Sequence, residues 1–182
     1  EQAIKISNSV AGKSWKLIEA EEKPFSRKPP APFITSTLQQ EANRKLGMGA
    51  REAMQVAQNL YEQGFITYMR TDSTFLSQQA LSASRKRIVQ LYGKEYLPDE
   101  PRTYEGKKVK GAQEAHEAIR PAGTEFPTPE ETGLSGPQLK LYELIWMRTM
   151  ASQMVNSRQK QVSVRFAIEA NIFGASGMTI EF

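Results

Sequence analysis

The stretch Lys28-Pro29-Pro30-Ala31-Pro32 separates two parts of the chain that have different residue patterns. Three prolines in four residues cannot join a β-ladder or fit the interior of a helix, so this stretch predicts an extended connector and a domain boundary. Upstream, Ile4 and Ile6 alternate with polar residues, and residues 15–18 form a second β-prone run. We therefore expect residues 1–31 to form the first part of a β domain.

The residues that follow the connector predict helices. Thr35 or Ser36 is a candidate N-cap for a helix that reaches Leu46, with Gly47 as its stop. A second helix is predicted by apolar residues that recur at helical spacing on one face: Ala53, Met54, Val56, Ala57, Leu60 and Tyr61. Two helices joined by a short glycine-containing turn suggest a helix-turn-helix, although many helical hairpins share this spacing.

Further along the chain, residues 65–69 form a short β-prone run, and Ser77 is the predicted N-cap of a helix that ends near Tyr92. Residues 97–112 are predicted to form a mobile, exposed loop that contains the basic cluster Lys107, Lys108 and Lys110. Pro137 suits the first turn of another helix.

Strict alternation of apolar and polar residues from Val162 to Ile168 predicts a strand with one buried face, and residues 174–177 suggest a hairpin turn. The order of elements is thus strands, helices, strands. We predict an α+β fold in which a mainly helical domain, residues 32–156, is inserted into a two-piece antiparallel β domain formed by residues 1–31 and 157–182.

Composition excludes several classes of site. The 182 residues contain no cysteine and only one histidine, His116, so disulfide scaffolds, thiolate metal sites and histidine-rich metal sites are excluded. Asp72 and Asp99 are the only aspartates, so no D-x-D metal pair is present. The net charge of +4 is compatible with a polyanionic partner. No apolar run is long enough to span a membrane. The chain lacks an initiator methionine, and we expect it to be a piece of a longer protein.

The clearest candidate for chemistry is Tyr68, which is followed two residues later by Arg70. In an extended chain these side chains project to the same side. A tyrosine that attacks a phosphodiester needs its phenolate stabilised and the phosphate charge offset, and a guanidinium provides both. Taken alone, the pattern leaves open a structural tyrosine and a surface arginine paired with Asp72.

Longer motifs carry a resemblance to a known family. Tyr68-Met69-Arg70-Thr71-Asp72-Ser73 resembles the active-site motif of the type IA DNA topoisomerases, in the form found in bacterial topoisomerase I. Three further segments resemble that family in the same order: Pro32–Ala42 its opening segment, Ala115–Pro121 its histidine motif, and Leu141–Trp146 its closing helix.

The resemblance implies specific roles. Tyr68 would attack single-stranded DNA and form a 5′-phosphotyrosyl bond, and Arg70 would hold the scissile phosphate. His116 would contact DNA near the cleavage site. Arg120 would position backbone phosphates or pair with a glutamate, and Thr71 and Asp72 would orient Arg70 or cap the turn into Ser73. For Lys107, Lys108 and Lys110, DNA contact and simple solvation both stay open.

The resemblance also implies partners that this chain does not contain. In this family Mg²⁺ is held by acidic residues of a separate Toprim domain, so we expect no metal or cofactor on this chain and no activity from it alone. Its partners would be single-stranded DNA and the other domains of the same polypeptide, in the bacterial cytoplasm at the nucleoid, with no membrane.

Two other hypotheses stay open. One is a non-catalytic DNA-binding module of helix-turn-helix type, in which Tyr68 and Arg70 only stack on bases and bind phosphate. The other is a structural or protein-interaction domain whose basic charge is incidental.

Overall fold

The computed structural model describes residues 1–104 and 117–181. It confirms the α+β class: in these residues, five α-helices accompany one three-stranded antiparallel sheet. The helices are α1 (Gln2–Val10), α2 (Thr35–Leu46), α3 (Ala50–Glu62), α4 (Gln78–Tyr92) and α5 (Gly136–Ser152). The strands are β1 (Lys16–Arg27), β2 (Ser157–Ile168) and β3 (Asn171–Ile180). Two 3₁₀ turns lie at Lys94–Tyr96 and Pro129–Thr132.

The contacts divide the chain into two compact units. One, the sheet unit, comprises Glu1–Lys28 and Asn156–Phe182, and the other, the helical unit, comprises Pro29–Val155. In the sheet unit β2 is central and pairs with both β1 and β3, with Arg27 opposite Ser157 at one end of the first ladder. Pro24 lies in β1, an edge strand, where its missing N–H does not interrupt a central ladder.

Helix boundaries in the helical unit follow local signals in the sequence. α2 ends at Gly47, whose φ of 69° is the left-handed conformation that glycine adopts without strain. α4 begins after Ser77, whose hydroxyl accepts the N–H of Ala80. The predicted bounds of both helices are confirmed. The cap of α2 is not, because Thr35 and Ser36 lie inside the helix and Ile34 precedes it.

One hydrophobic cluster fills the helical unit and joins α2, α3, α4 and α5 to the loops between them. Its largest fully buried side chains are Tyr142, Phe33, Phe126, Leu38, Leu60, Ile66, Met69, Ile88, Ile119, Leu141, Ile145 and Met150. The hydroxyl of Tyr104 lies 3.1 Å from the Pro29 carbonyl oxygen and 2.9 Å from that of Ser152, so it links the two ends of this unit.

The strand prediction for the first residues is wrong, because residues 2–10 form α1. The run at 65–69 is not a strand either: only Ile66 forms a bridge, with Pro121. The hairpin turn lies at Glu169 and Ala170, while residues 174–177 belong to β3.

The predicted buried face of β2 is confirmed in part: Ile168 is 2% exposed and Val164 and Phe166 are partly buried, whereas Val162 is 38% exposed. No helix within residues 1–104 or 117–181 combines the length and apolar composition that a membrane span requires.

Candidate active site

Tyr68 lies in the loop segment that joins α3 to α4. Tyr68 is 44% exposed and Arg70 is also exposed. Met69, which lies between them, and Thr71, which follows Arg70, are buried. The two exposed side chains thus lie on either side of the buried Met69, and each lines its own cleft. The buried neighbours fix the segment to the helical core.

A cleft of about 470 Å³ opens beside Tyr68. The Tyr61 ring, at the end of α3, meets the Tyr68 ring edge to face, with 5.3 Å between centroids and an interplanar angle of 65°. The residues that line the cleft are Tyr61, Gly64, Ile66, Thr67, Tyr68, Thr71, Glu117 and Ala122. This contact supports the Tyr68 ring on one side, and the exposed remainder of the ring is accessible to a partner molecule.

Arg70 lines a second open cleft of about 490 Å³. Its other lining residues are Ile34, Thr35, Ser36, Gln39, Thr71 and Asp72, so Thr71 belongs to both clefts. Within residues 1–104 and 117–181 Arg70 forms no ion pair and no hydrogen bond from its side chain, and it is not paired with Asp72. The guanidinium is therefore available to an anion from solution.

Two threonines anchor the backbone that carries these side chains. The Thr67 hydroxyl donates to the Ala118 carbonyl oxygen at 2.7 Å and accepts the N–H of Arg120 at 3.0 Å. The Thr35 hydroxyl lies 2.8 Å from the Met69 carbonyl oxygen and accepts the N–H of Thr71 at 2.9 Å. The Tyr68–Arg70 segment is thus bound to α2 and to the residues that follow position 117.

Glu117 and Arg120 form an ion pair at the edge of the Tyr68 cleft. Arg120 Nη2 donates to Glu117 Oε2 at 2.5 Å, and the Ser77 N–H donates to Glu117 Oε1 at 2.8 Å. Burial raises the pKa of the Glu117 carboxyl, but the hydrogen bonds from Ser77 and Arg120 outweigh it, and the pKa lies below its ordinary value. Glu117 is therefore a carboxylate near neutral pH.

The surroundings of Arg120 bear on its two predicted roles, which are pairing with a glutamate and positioning DNA phosphates. Arg120 is only 6% exposed, and its guanidinium also donates to the Pro121 carbonyl oxygen and lies 5.9 Å from the centre of the Phe126 ring. Pairing with a glutamate, one of the two predicted roles, is what this geometry favours. The positioning of DNA phosphates by Arg120 stays a prediction.

The remaining predicted residues are placed as follows. The Thr71 hydroxyl accepts the N–H of Ser73 at 3.1 Å, which is the capping geometry predicted as one of its roles, and Asp72 is exposed. His116 lies outside the described residues, as do Lys107, Lys108 and Lys110.

The described residues do not fit a magnesium site. Mg²⁺ is bound through carboxylates that have free oxygens, whereas both oxygens of Glu117 already accept hydrogen bonds. In the described ranges, no three Asp, Glu or His side chains converge.

Sequence reasoning missed four residues of this site: Thr35 and Thr67 as anchors, Tyr61 as the ring beside Tyr68, and Glu117 as the partner of Arg120. The sequence grouped Tyr61 with the apolar face of its helix, and in the structure it is 41% exposed. The i, i+3 spacing of Glu117 and Arg120 was the only local signal for any of them.

Comparison with known proteins gives one consistent result. The sequence model of a DNA topoisomerase family matches residues 1–182. DNA topoisomerase 1 of Synechocystis is 58% identical over 181 residues, covering 100% of this chain and 20% of that protein. DNA topoisomerase 1 of Streptomyces coelicolor is 62% identical over 167 residues, covering 89% of this chain and 17% of that protein.

A solved structure agrees with these sequence matches. Full-length topoisomerase I from Thermotoga maritima superposes with a TM-score of 0.77 at 37% identity, covering 98% of this chain and 30% of that one. The chain therefore spans about a fifth of the length of the curated relatives it matches.

Proposed function

Because this chain belongs to the bacterial DNA topoisomerase I family, we propose that it carries the strand-cleaving tyrosine of a type IA DNA topoisomerase. The observation that carries the proposal is Tyr68: an exposed phenol at an open cleft, on a backbone anchored at both ends, followed two residues later by an exposed Arg70 that has no ion-pair partner within residues 1–104 and 117–181. The longer protein would relax negatively supercoiled DNA.

The proposed reaction is a transesterification on single-stranded DNA. Tyr68 Oη attacks the phosphorus, the bond from phosphorus to the 3′ oxygen breaks, and a 5′-phosphotyrosyl bond forms. The phenol loses its proton and the departing 3′ oxygen gains one, so atoms and charge balance. After another strand has passed through the gap, the 3′-hydroxyl attacks the phosphotyrosine and restores the original bond. No nucleotide is consumed, since one phosphodiester replaces another.

Arg70 is assigned to the scissile phosphate. Its cleft includes the first turn of α2, Thr35 and Ser36, where the partial positive charge of a helix N-terminus adds to the guanidinium. Both groups favour the charge that builds up on the phosphate oxygens in the transition state. Edge contact with Tyr61 holds the Tyr68 ring toward the cleft.

The other parts of the active site are proposed to lie elsewhere in the longer polypeptide. Mg²⁺ would be held by acidic residues of a Toprim domain and would offset negative charge near the departing 3′ oxygen. That domain would face Tyr68, and the protein would work on chromosomal DNA in the bacterial cytoplasm. This chain alone is expected neither to cleave nor to relax DNA.

The test is Tyr68→Phe in the longer protein, with Tyr92→Phe as its matched control. Tyr92 is equally exposed, at 43%, and lies on α4. We expect Tyr68→Phe to abolish relaxation of negatively supercoiled plasmid and to leave binding of single-stranded DNA largely intact, because one hydroxyl is lost. Tyr92→Phe should relax plasmid at the unmodified rate.

Relaxation that survives Tyr68→Phe would refute the mechanism and favour the non-catalytic DNA-binding module. Cleavage by the isolated 182-residue chain would show that no other domain is needed. Topoisomer gels and a binding titration on the same preparations supply both measurements.

A further inference from the structure

We propose that Thr35 and Thr67 are positioning residues for strand cleavage, because together they hold the Tyr68–Arg70 backbone at both ends. The proposal rests on the function proposed above and adds residues that need not contact DNA. They act through Tyr68 and Arg70.

Thr67 fixes the residue immediately before Tyr68. Its N–H donates to the Arg120 carbonyl oxygen at 2.9 Å, and its hydroxyl donates to the Ala118 carbonyl oxygen and accepts the Arg120 N–H. Ala118 and Ile119 are fully buried, so the segment that receives these bonds belongs to the core. Three hydrogen bonds of the neighbouring Thr67 therefore hold the Tyr68 backbone to the core.

Thr35 fixes the residues on both sides of Arg70. Its N–H donates to the Thr71 carbonyl oxygen at 2.9 Å, and its hydroxyl accepts the Thr71 N–H. The same hydroxyl lies 2.8 Å from the Met69 carbonyl oxygen, to which it donates its single proton. Thr35 is the first residue of α2, a regular helix of 12 residues. The backbone on both sides of Arg70 is therefore hydrogen-bonded to a rigid element.

These anchors matter because the two functional side chains have little support of their own. Tyr68 contacts Tyr61 at a ring edge, and the Arg70 side chain has no hydrogen-bond partner in the described part of the chain. Their positions therefore follow the backbone. A displacement of about 1 Å in a reacting group can cost about 100-fold in rate. Threonine suits the task, since its branched Cβ limits the rotamers that the hydroxyl samples.

The experiment uses Thr35→Val and Thr67→Val in the longer protein, since valine keeps the shape and removes only the hydroxyl. Thr35→Ser and Thr67→Ser keep the hydroxyl and are the rescue variants. Thr149→Val is the matched control: Thr149 is fully buried, and its hydroxyl donates to Ile145 within its own helix. Melting temperature, affinity for a single-stranded oligonucleotide, and the single-turnover rate of covalent adduct formation are measured for each variant.

We expect each valine variant to form the adduct about tenfold or more slowly than the unmodified protein, with oligonucleotide affinity within about twofold. The serine variants should recover most of the rate, and Thr149→Val should cleave normally even where it melts earlier. In an Arg70→Ala background, Thr35→Val should add little further loss, because Thr35 acts through Arg70.

A second readout does not depend on cleavage. Hydrogen exchange measured by mass spectrometry should accelerate in peptides covering residues 69–72 of Thr35→Val, because the Thr71 N–H loses its acceptor. If one valine variant does not fold, the other carries the test.

Adduct formation by both valine variants at the unmodified rate would overturn the positioning role, as would equal losses in the valine and serine variants. Failure of the proposed function looks different: Tyr68→Phe would then keep its activity, whatever the threonine variants do.

Discussion

Glu117 is the acidic residue that lines the Tyr68 cleft, and its carboxylate is held by partners on two sides. The pKa of this group lies below its ordinary value of 4.5, so the folded protein binds fewer protons near pH 4 than the unfolded chain does. The stabilisation from Glu117 is therefore fully present above that ordinary value and is lost as pH falls through the lower, folded-state pKa.

We expect Glu117→Gln to lower the free energy of unfolding at pH 7 by about 1–3 kcal/mol, because the buried Arg120 loses its counter-charge. The difference from the unmodified protein should begin to shrink as pH falls below the ordinary value of 4.5 and should vanish once the carboxyl of Glu117 in the folded protein is protonated. Urea unfolding measures this difference in stability. It is carried out at several pH values from about 3.5 to about 7, which include the ordinary titration range of glutamate.

Glu143→Gln on the exposed face of α5 is the control, and it should change stability little at any pH. A Glu117→Gln penalty that stays constant down to acid pH would contradict the assignment of the lowered pKa to Glu117.

At the scale of elements, α4 and α5 provide a matched pair of helix starts. Both have a serine in extended conformation at the N-cap, Ser77 and Ser135, but only the Ser77 hydroxyl accepts a backbone N–H of its helix. When an N-cap side chain accepts this hydrogen bond, it satisfies a backbone N–H of the first turn that has no partner within the helix. The two serines should therefore respond differently to the same substitution.

We expect Ser77→Ala to lower the free energy of unfolding by about 1 kcal/mol and Ser135→Ala by only a few tenths. Urea unfolding followed by circular dichroism compares them directly. Equal losses in the two variants would show that the hydrogen bond from Ala80 to Ser77 does not contribute measurably.

The elements that sequence predicted correctly are those with local signals. α2 and α4 have a stop glycine or a capping serine at their ends, and β2 has strict alternation. The first helix was missed because its apolar residues fit two periods: Ile4 and Ile6 alternate, but Ile6 and Val10 also share a helical face.

The other misses depend on contacts between residues far apart in the chain. Residues 65–69 pair with the segment near Pro121 at a single bridge, which their β propensity cannot reveal. The hairpin reverses at Glu169, with φ of 51°, because the register of β2 with β3 places Gly174 and Gly177 within the ladder.

The same distinction holds in the site. The i, i+2 spacing of Tyr68 and Arg70 agrees with their exposure around a buried Met69, but it did not predict that they line separate clefts. Thr35 and Thr67 were not predictable, because their partners are 36 and 51 residues away.

At the scale of the whole molecule, the helical unit contains a complete hydrophobic cluster. We expect residues 29–155, expressed alone, to fold cooperatively and to show a helical circular dichroism spectrum. The urea concentration at the midpoint of unfolding should be close to that measured for the same helices in the 182-residue chain. The sheet unit has largely exposed strands, so residues 1–28 and 156–182, joined by a short linker, should be far less stable. A non-cooperative transition for residues 29–155 would contradict this expectation.

The Tyr104 hydroxyl, close to the carbonyl oxygens of Pro29 and Ser152, has a consequence for the order of folding. Arg27 and Ser157 face each other at the end of the β1–β2 ladder, so that ladder closes a loop consisting of the whole helical unit. Closing a loop of that length in an unfolded chain is entropically costly and slow. Once the helical unit has formed, its ends already lie together, and the remaining loop is only a few residues long. We therefore expect the helical unit to form first and the ladder second, even though β1 is synthesised before that unit.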